Sequence, residues 1–216
     1  MSAQDLSFVH VHRPATRPGL PPLLLLHGTG GDETDLLALG EAIAPGAALL
    51  SPRGQVLERG APRFFRRLAE GVFDEDDVRR RAGDLARFVA EARTAYGIAA
   101  PIALGYSNGA NIAAAVMLLH PGTLAGAALL RAMPPLTTPP AAELDAAPVL
   151  MLSGALDPIA SGAHAALLER QLRAAGAAVT LETLPASHGL TRMDLEAATR
   201  WYARLAAEGR VAAASS

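Results

Sequence analysis

The most constraining feature of this sequence is a regular alternation of short, fully apolar runs with longer amphipathic stretches. Two such runs are Leu23-Leu24-Leu25-Leu26 and Val149-Leu150-Met151-Leu152. A strand that is apolar on both sides has to be buried on both faces, as in a parallel sheet covered by helices. The alternation therefore predicts an α/β fold, with a mostly parallel twisted sheet and helices on both faces.

The same pattern predicts where each element lies along the 216 residues. We expect strands at 6–12, 23–26, 47–51, 102–104, 124–130, 149–152 and 179–184, and helices at 33–44, 75–96, 108–120, 161–175 and 190–208. Residues 55–74 have no period and predict a long irregular loop, which in a compact domain is more often functional than idle. No linker or repeat divides the chain, so we predict one domain over 1–216, with its core at about 6–208 and a frayed tail at 209–216.

Composition and charge exclude several classes of protein. With 50% hydrophobic and 19% charged residues, the chain is too apolar for intrinsic disorder. A net charge of −2 argues against binding to nucleic acid or a membrane surface. No apolar run approaches the ~18 residues of a membrane span, and Met1-Ser2-Ala3-Gln4-Asp5 does not resemble the start of a signal peptide. We expect a cytoplasmic protein without membrane insertion, and the sequence leaves a homodimer open.

No metal site is expected. The chain has 0 cysteines, which excludes a thiolate ligand and a cysteine nucleophile. His10 and His12 share one face of the predicted first strand, but no third ligand is nearby. We expect that face to be solvated.

A Gly-x-Ser-x-Gly pentapeptide, Gly105-Tyr106-Ser107-Asn108-Gly109, lies between a predicted buried strand and a predicted helix. This spacing is typical of a serine on a sharp turn, because the glycines let strand and helix approach without a clash. The Ser107 hydroxyl then stands at the carboxyl end of the sheet, beside a helix N-terminus that favours developing negative charge. The bare pattern also fits an ordinary turn, but its strand–turn–helix setting favours a nucleophile.

Together with the upstream segment His27-Gly28-Thr29-Gly30-Gly31-Asp32, this turn resembles the α/β-hydrolase superfamily. More narrowly, it resembles the phospholipase/carboxylesterase family, which includes bacterial carboxylesterases and acyl-protein thioesterases. The resemblance covers roughly residues 20–208. It implies a serine esterase without a separate lid domain and without a cofactor.

His188 is the predicted general base. A serine hydroxyl needs a base to accept its proton and a third group to orient that base. His188 lies in a loop between the last strand and the last helix, which opens at the same sheet edge as Ser107. His120 is expected to cap the helix after the serine, and His164 to be exposed on another helix.

Asp157 is the predicted acid, because in this fold the acid follows the serine and precedes the histidine. It lies in Gly154-Ala155-Leu156-Asp157-Pro158, directly after a strand. Asp145 precedes that strand, at the wrong edge, and Asp194 and Glu196 lie in the final helix. The Gly-x-x-Asp-Pro pattern also matches the acid position of the family. The alternative for Asp157 is a turn-capping aspartate.

The oxyanion hole requires two backbone N–H groups aimed where negative charge develops. One is expected from Asn108, the residue after the nucleophile. The resemblance assigns the other to Thr29, in the glycine-rich loop after the first central strand. This loop lacks the Lys-Ser/Thr of a phosphate-binding P-loop, and we expect its His27 to be structural.

The predicted wall of the substrate pocket is Arg63-Phe64-Phe65-Arg66. Phe64 and Phe65 are two of only five phenylalanines in the chain, and the family carries an aromatic pair at the corresponding place. One of them could instead fill the core, and the arginines could bind an anionic group or be solvated. Tyr106, Leu156 and Ile159 flank catalytic positions and are also predicted to line the pocket.

These residues predict a serine carboxylesterase that hydrolyses short- to medium-chain esters of small molecules through an acyl-enzyme. Two alternatives share the machinery: an acyl-protein thioesterase or lysophospholipase, and a hydrolase of aromatic, quinone-derived compounds. Asn108 stands where many relatives carry glutamine, which disfavours the thioesterase. The alternative from another class is a catalytically silent binding protein, which has no need of Ser, Asp and His in this order.

Overall fold

A seven-stranded sheet forms the centre of the computed structural model, which describes residues 6–209. Its strands are β1 (His10–Arg13), β2 (Leu23–Leu26), β3 (Leu49–Pro52), β8 (Ile102–Tyr106), β9 (Gly126–Leu130), β10 (Pro148–Gly154) and β11 (Ala178–Leu184), and the strands numbered between β3 and β8 lie outside this sheet. The order across the sheet is β1-β3-β2-β8-β9-β10-β11, where only β1 and β3 pair antiparallel. Residues 1–5, which do not resemble the start of a signal peptide, and the predicted tail from residue 210 onward lie outside the described residues.

Five helices cover both faces of the sheet within residues 6–209. They are α1 (Leu37–Ile43), α2 (Glu75–Tyr96), α3 (Asn108–Leu119), α4 (Gly162–Ala174) and α5 (Arg192–Glu208). Successive side chains of a strand point to opposite faces, so Leu24 and Leu26 belong to the buried cluster that includes α2, α3 and α4, while Leu23 and Leu25 belong to the one that includes α1 and α5. The predicted α/β fold, mostly parallel with helices on both faces, is confirmed.

Helix α2 illustrates how local sequence sets the ends of an element. The Asp74 side chain accepts a hydrogen bond from the Asp77 amide at the N-terminus, and Gly97 ends the helix in the left-handed conformation at φ 63°. The observed bounds coincide with the predicted ones. The buried stripe on this helix places Val78, Leu85 and other apolar side chains against the sheet.

The prediction of an irregular loop at 55–74 is wrong. This segment contains two small antiparallel hairpins, β4 (Val56–Glu58) with β5 (Ala61–Arg63) and β6 (Arg67–Ala69) with β7 (Val72–Phe73). Strands of two or three residues are too short to show a period of two. The predicted helix at 33–44 also begins later, at Leu37, because turns occupy the preceding residues.

The first strand is an edge strand, but its histidine face is not simply solvated. His10 Nε2 lies 2.6 Å from the Tyr96 hydroxyl, and the His12 ring stacks on the Tyr96 ring at a centroid distance of 3.8 Å. The strand therefore packs against the end of α2. No cluster of three or more His, Cys, Asp or Glu within residues 6–209 could hold a metal ion. Over the same range, no helix is both long enough and apolar enough to cross a membrane.

Candidate active site

The turn between β8 and α3 holds Ser107 in a backbone conformation that is rare for a residue with a side chain. Its φ is 51° and its ψ is −114°. The flanking glycines are required by close packing: a Cβ on Gly105 would lie 2.6 Å from the Gly109 carbonyl oxygen, and one on Gly109 would lie 1.9 Å from the Leu26 carbonyl oxygen. The Gly-x-Ser-x-Gly spacing thus has a steric cause, and it presents the serine at the carboxyl edge of the sheet.

Three loops at that edge bring together the predicted serine, histidine and aspartate. Ser107 Oγ lies 3.0 Å from His188 Nε2, and His188 Nδ1 lies 2.8 Å from Asp157 Oδ2. Asp157 follows β10 and His188 follows β11, whose parallel pairing places both loops beside Ser107. The Asp157 side chain is fully buried, whereas the His188 side chain keeps 19% exposure. The three groups form one unbroken hydrogen-bonded chain that ends at a solvent-accessible hydroxyl.

The loop after β10 fixes the charge of Asp157. Burial alone would raise the pKa of this carboxyl group, but hydrogen bonds from the Ile159 and Ala160 amides and from His188 outweigh burial and lower its pKa. Those amides donate to Oδ1 at 2.8 and 2.9 Å, which leaves Oδ2 for the imidazole. Asp157 is therefore ionised at neutral pH and holds a proton on His188 Nδ1.

Two backbone amides beside Ser107 have no partner among the described residues. Those of Thr29 and Asn108 donate no hydrogen bond, although both residues line the cleft above the serine. By contrast, the Ser107 amide donates to the Leu130 carbonyl at 2.8 Å and the Gly30 amide to the Pro62 carbonyl at 2.9 Å. The two free donors are those predicted for the oxyanion hole.

A cleft of about 220 Å³ opens beside Ser107 and His188. Tyr106 and Ile159 lie in its lining, as predicted, but Leu156 does not, because its side chain is 74% exposed on the surface. The lining also includes Phe73, Met133, Asn111, Arg63 and Arg67. The cleft is therefore part apolar and part cationic.

The prediction that Phe64 and Phe65 form the pocket wall needs correction, because both are buried in the core. Phe64 packs on the His27 ring at 4.8 Å, and Phe65 meets Phe73 edge-on at 5.0 Å. The Phe64 amide donates to Asn108 Oδ1 at 2.7 Å, which holds the hairpin segment against the turn that carries Ser107. Phe73, rather than the pair, reaches the cleft.

The remaining histidines have structural places. His27 Nδ1 lies 2.7 Å from the Gly28 carbonyl oxygen, and its Nε2 accepts from the Gly54 amide at 2.9 Å, which confirms the predicted role between loops. His120 ends α3, as predicted. His164 is half-buried and takes part in the N-terminal cap of α4, so the expectation that it is exposed was wrong.

A buried ion pair that no sequence pattern predicted lies beside the His188 loop. The Arg131 guanidinium donates to both Asp194 carboxylate oxygens at 2.7 and 2.9 Å, and both side chains are buried. It also donates to the carbonyls of Ser187 and Gly189, on either side of His188. The available signal was an arginine directly after an all-apolar strand, at the sheet edge that carries the site.

The sheet order, the two helical layers and the strand–turn–helix at Ser107 define an α/β-hydrolase fold. The chain belongs to the carboxylesterase family of that fold. It is 42% identical over 195 residues to MhqD of Bacillus subtilis (strain 168), provisionally named a hydrolase, with 89% of this chain and 96% of MhqD covered. No family model matches the chain.

Solved structures agree with this assignment. The carboxylesterase of Bacillus cereus has a TM-score of 0.90 and 42% identity, with 93% of this chain and 96% of that chain covered. A carboxylesterase from Mesorhizobium loti has a TM-score of 0.88 and 35% identity, with 94% and 98% covered. YahD, solved with malic acid, has a TM-score of 0.85 and 29% identity, with 91% and 98% covered.

Proposed function

We propose that this chain is a serine carboxylesterase that cleaves short- to medium-chain esters through an acyl-enzyme on Ser107. The observation that carries the proposal is the hydrogen-bonded chain from Ser107 through His188 to Asp157, beside an open cleft. The family membership supports the same reaction class.

The mechanism follows from the position of each group. His188 Nε2 accepts the Ser107 proton as Oγ attacks the ester carbonyl, and the Thr29 and Asn108 amides stabilise the oxyanion. The imidazolium, held by Asp157, returns the proton to the leaving alcohol. Water then enters, gives a proton to His188 and attacks the acyl-enzyme, which releases the carboxylic acid and restores the Ser107 hydroxyl.

The size of the cleft supports small acyl groups. About 220 Å³ beside the serine accommodates a short chain, and an adjoining groove of about 250 Å³ shares Gly71, Phe73 and Met133 with it. The groove adds Val72, Pro134 and Leu136, so a medium chain has an apolar path away from Ser107.

Labelling by a fluorophosphonate tests this function, combined with turnover of 4-nitrophenyl esters from acetate to palmitate. We expect labelling of the native protein at Ser107, and a rate maximum at short or medium chains. Ser107→Ala should abolish labelling and lower kcat by about 10⁴- to 10⁶-fold. Ser187→Ala is the matched control, because that serine is exposed beside His188 and its hydroxyl makes no hydrogen bond among the described residues.

Two results would contradict the proposal. Ester turnover that survives Ser107→Ala would reject Ser107 as nucleophile. A native protein that binds esters but neither turns them over nor reacts with the fluorophosphonate would be a silent binding protein.

A further inference from the structure

The two hairpins of residues 56–73 bring two arginines into the cleft that contains Ser107. Arg63 lies at the end of β5 and Arg67 at the start of β6, and both line the cleft. The hydrogen bond from the Phe64 amide to Asn108 Oδ1 fixes this segment against the nucleophile turn. The cationic groups are therefore held at a constant place relative to the reacting serine.

Arg63 is an unusual residue because its charge is almost completely removed from water. The residue is 3% exposed, and burial lowers the pKa of its guanidinium. Nε donates to the Phe65 carbonyl at 3.2 Å, and Nη1 lies 3.1 Å from Glu58 Oε2. Despite this ion pair, Nη1 is buried and makes no hydrogen bond to any described residue. A buried guanidinium normally has all its donors partnered, so this group has capacity for one more acceptor.

Glu58 is the counter-charge for both arginines. Its carboxylate accepts from Arg67 Nε and Nη2 at distances of 2.8 to 3.1 Å and also faces Arg63. Two cations thus share one carboxylate, which leaves an excess of one positive charge. Arg66 does not add to it, because it pairs with Asp74.

Glu70 is the acidic residue in the lining of the cleft, to which Glu58 does not belong. It is exposed, and water screens an exposed charge far more than a buried one. Its carboxylate therefore offsets little of the field of the buried Arg63 guanidinium. A substrate anion that enters the cleft would meet a net positive, partly desolvated site.

We propose that Arg63, assisted by Arg67, binds a carboxylate carried by the substrate, so that the preferred esters are half-esters of short dicarboxylic acids. The inference rests on the proposed function and adds the substrate class to it. A planar guanidinium matches a carboxylate better than any other side chain, and such charge-assisted bonds are strong where water is excluded. A cleft of about 220 Å³ leaves room for only a short spacer between this carboxylate and the scissile ester.

The test compares two ethyl esters with the same acyl-chain length, the anionic monoethyl succinate and the neutral ethyl butyrate, by pH-stat titration at neutral pH. We expect the native enzyme to show a kcat/KM for the half-ester that is about 10-fold or more above that for ethyl butyrate. Arg63→Gln should lower this ratio by about 10- to 100-fold, the size expected for one charged hydrogen bond. Free succinate should inhibit the native enzyme competitively, and the variant more weakly.

Two further variants complete the test: one should change the half-ester ratio in the opposite direction, and the other is a control. Glu58→Gln removes the shared counter-charge, so the half-ester ratio should rise, and this variant keeps the inference testable if Arg63→Gln does not fold. Arg66→Gln is the matched control, because Arg66 is an exposed neighbour outside the cleft lining and the ratio should not change.

The outcomes separate the inference from the function on which it rests. Turnover of ethyl butyrate with no preference for the half-ester, and with a ratio unaffected by Glu58→Gln, would overturn the carboxylate site while the esterase remains. Failure to hydrolyse either ester, without labelling at Ser107, would instead reject the proposed function.

Discussion

At the scale of single residues, the site depends on side chains whose state is fixed by backbone groups around them. Ser107 keeps its positive φ because its amide donates to Leu130 and its carbonyl accepts from the Asn111 amide. Asp157 keeps its charge because two amides donate to one of its oxygens. A strained backbone such as that of Ser107 persists only where several surrounding contacts hold it, and it is common at functional sites.

Asp157→Asn should separate the orienting role of the carboxylate from simple packing. The amide is almost the same size, but its NH₂ group facing His188 Nδ1 would favour the tautomer with the proton on Nε2. His188 could then no longer accept the Ser107 proton. We expect kcat to fall on the order of 10⁴-fold with little change in the fold, measured by ester turnover and circular dichroism. A loss below tenfold would contradict this role.

The effect of Asp157→Asn on stability should depend on pH. A carboxyl group whose pKa is lower in the folded than in the unfolded state stabilises the protein above its unfolded pKa, and that stability is lost as pH falls through the folded value. The ordinary value is 3.8 and the folded one is lower. The difference in melting temperature between native protein and Asp157→Asn should therefore be constant from pH 7 to about 5 and shrink below about 4. A difference that grows on acidification would reverse the sign of the linkage.

Sequence order alone could predict which serine, aspartate and histidine come together, because a serine turn, an Asp after one strand and a His after the next leave few arrangements in this fold. It could not place Phe64 and Phe65. A pair of phenylalanines beside arginines is as compatible with the wall of a pocket as with the hydrophobic core. Only the packing of His27 and Phe73 against them decides the matter.

At the scale of elements, the contact between the β8–α3 turn and the end of β2 sets the geometry of the site. A methyl group on Gly109 would meet the Leu26 and His27 carbonyls at 1.9 to 2.6 Å. Gly109→Ala should thus destabilise the protein by about 1–3 kcal/mol or more and misplace the Asn108 amide. Gly162→Ala is the matched control, since a Cβ there meets nothing within 4 Å. Urea unfolding of both variants checks this, and equal stability would show that the turn can relax.

The elements that periodicity predicts well are the long or fully apolar ones. Strand β2 and helix α2 have the predicted bounds, because four leucines allow only a buried strand and a long stripe closed by Gly97 allows only one helix. The hairpins at 56–73 could not be predicted in this way. Their strands are short and charged, and their place is decided by tertiary contacts such as Phe64 to Asn108.

At the scale of the whole molecule, the Arg131–Asp194 pair joins the end of β9 to the start of the C-terminal helix through two buried charges. Arg131 follows β9, Asp194 lies in the first turn of α5, and the loop with His188 is held between them. Asp194 also accepts from the Thr191 amide and hydroxyl, which caps α5. The pair thus couples the folding of the C-terminal helix to the position of His188.

Asp194→Ala should be among the most damaging changes away from the cleft. It leaves a buried guanidinium without a counter-charge, which costs about 3–5 kcal/mol, and it removes the cap of α5. We expect a large fall in urea midpoint, together with a lower kcat wherever the variant stays folded. Glu196→Ala is the matched control in the same helix, because its ion pair with Arg192 is exposed and should contribute less than about 1 kcal/mol.

A double variant separates the charge from the positioning role. Arg131→Met with Asp194→Leu removes both charges, so much of the stability lost in Asp194→Ala should return. The carbonyls of Ser187 and Gly189 still lose their donor, so the loop around His188 is no longer held and kcat should stay low. Recovery of both stability and kcat would mean that the guanidinium contributes nothing to the placement of His188. If stability returns without kcat, the pair's main effect on catalysis is to position the base.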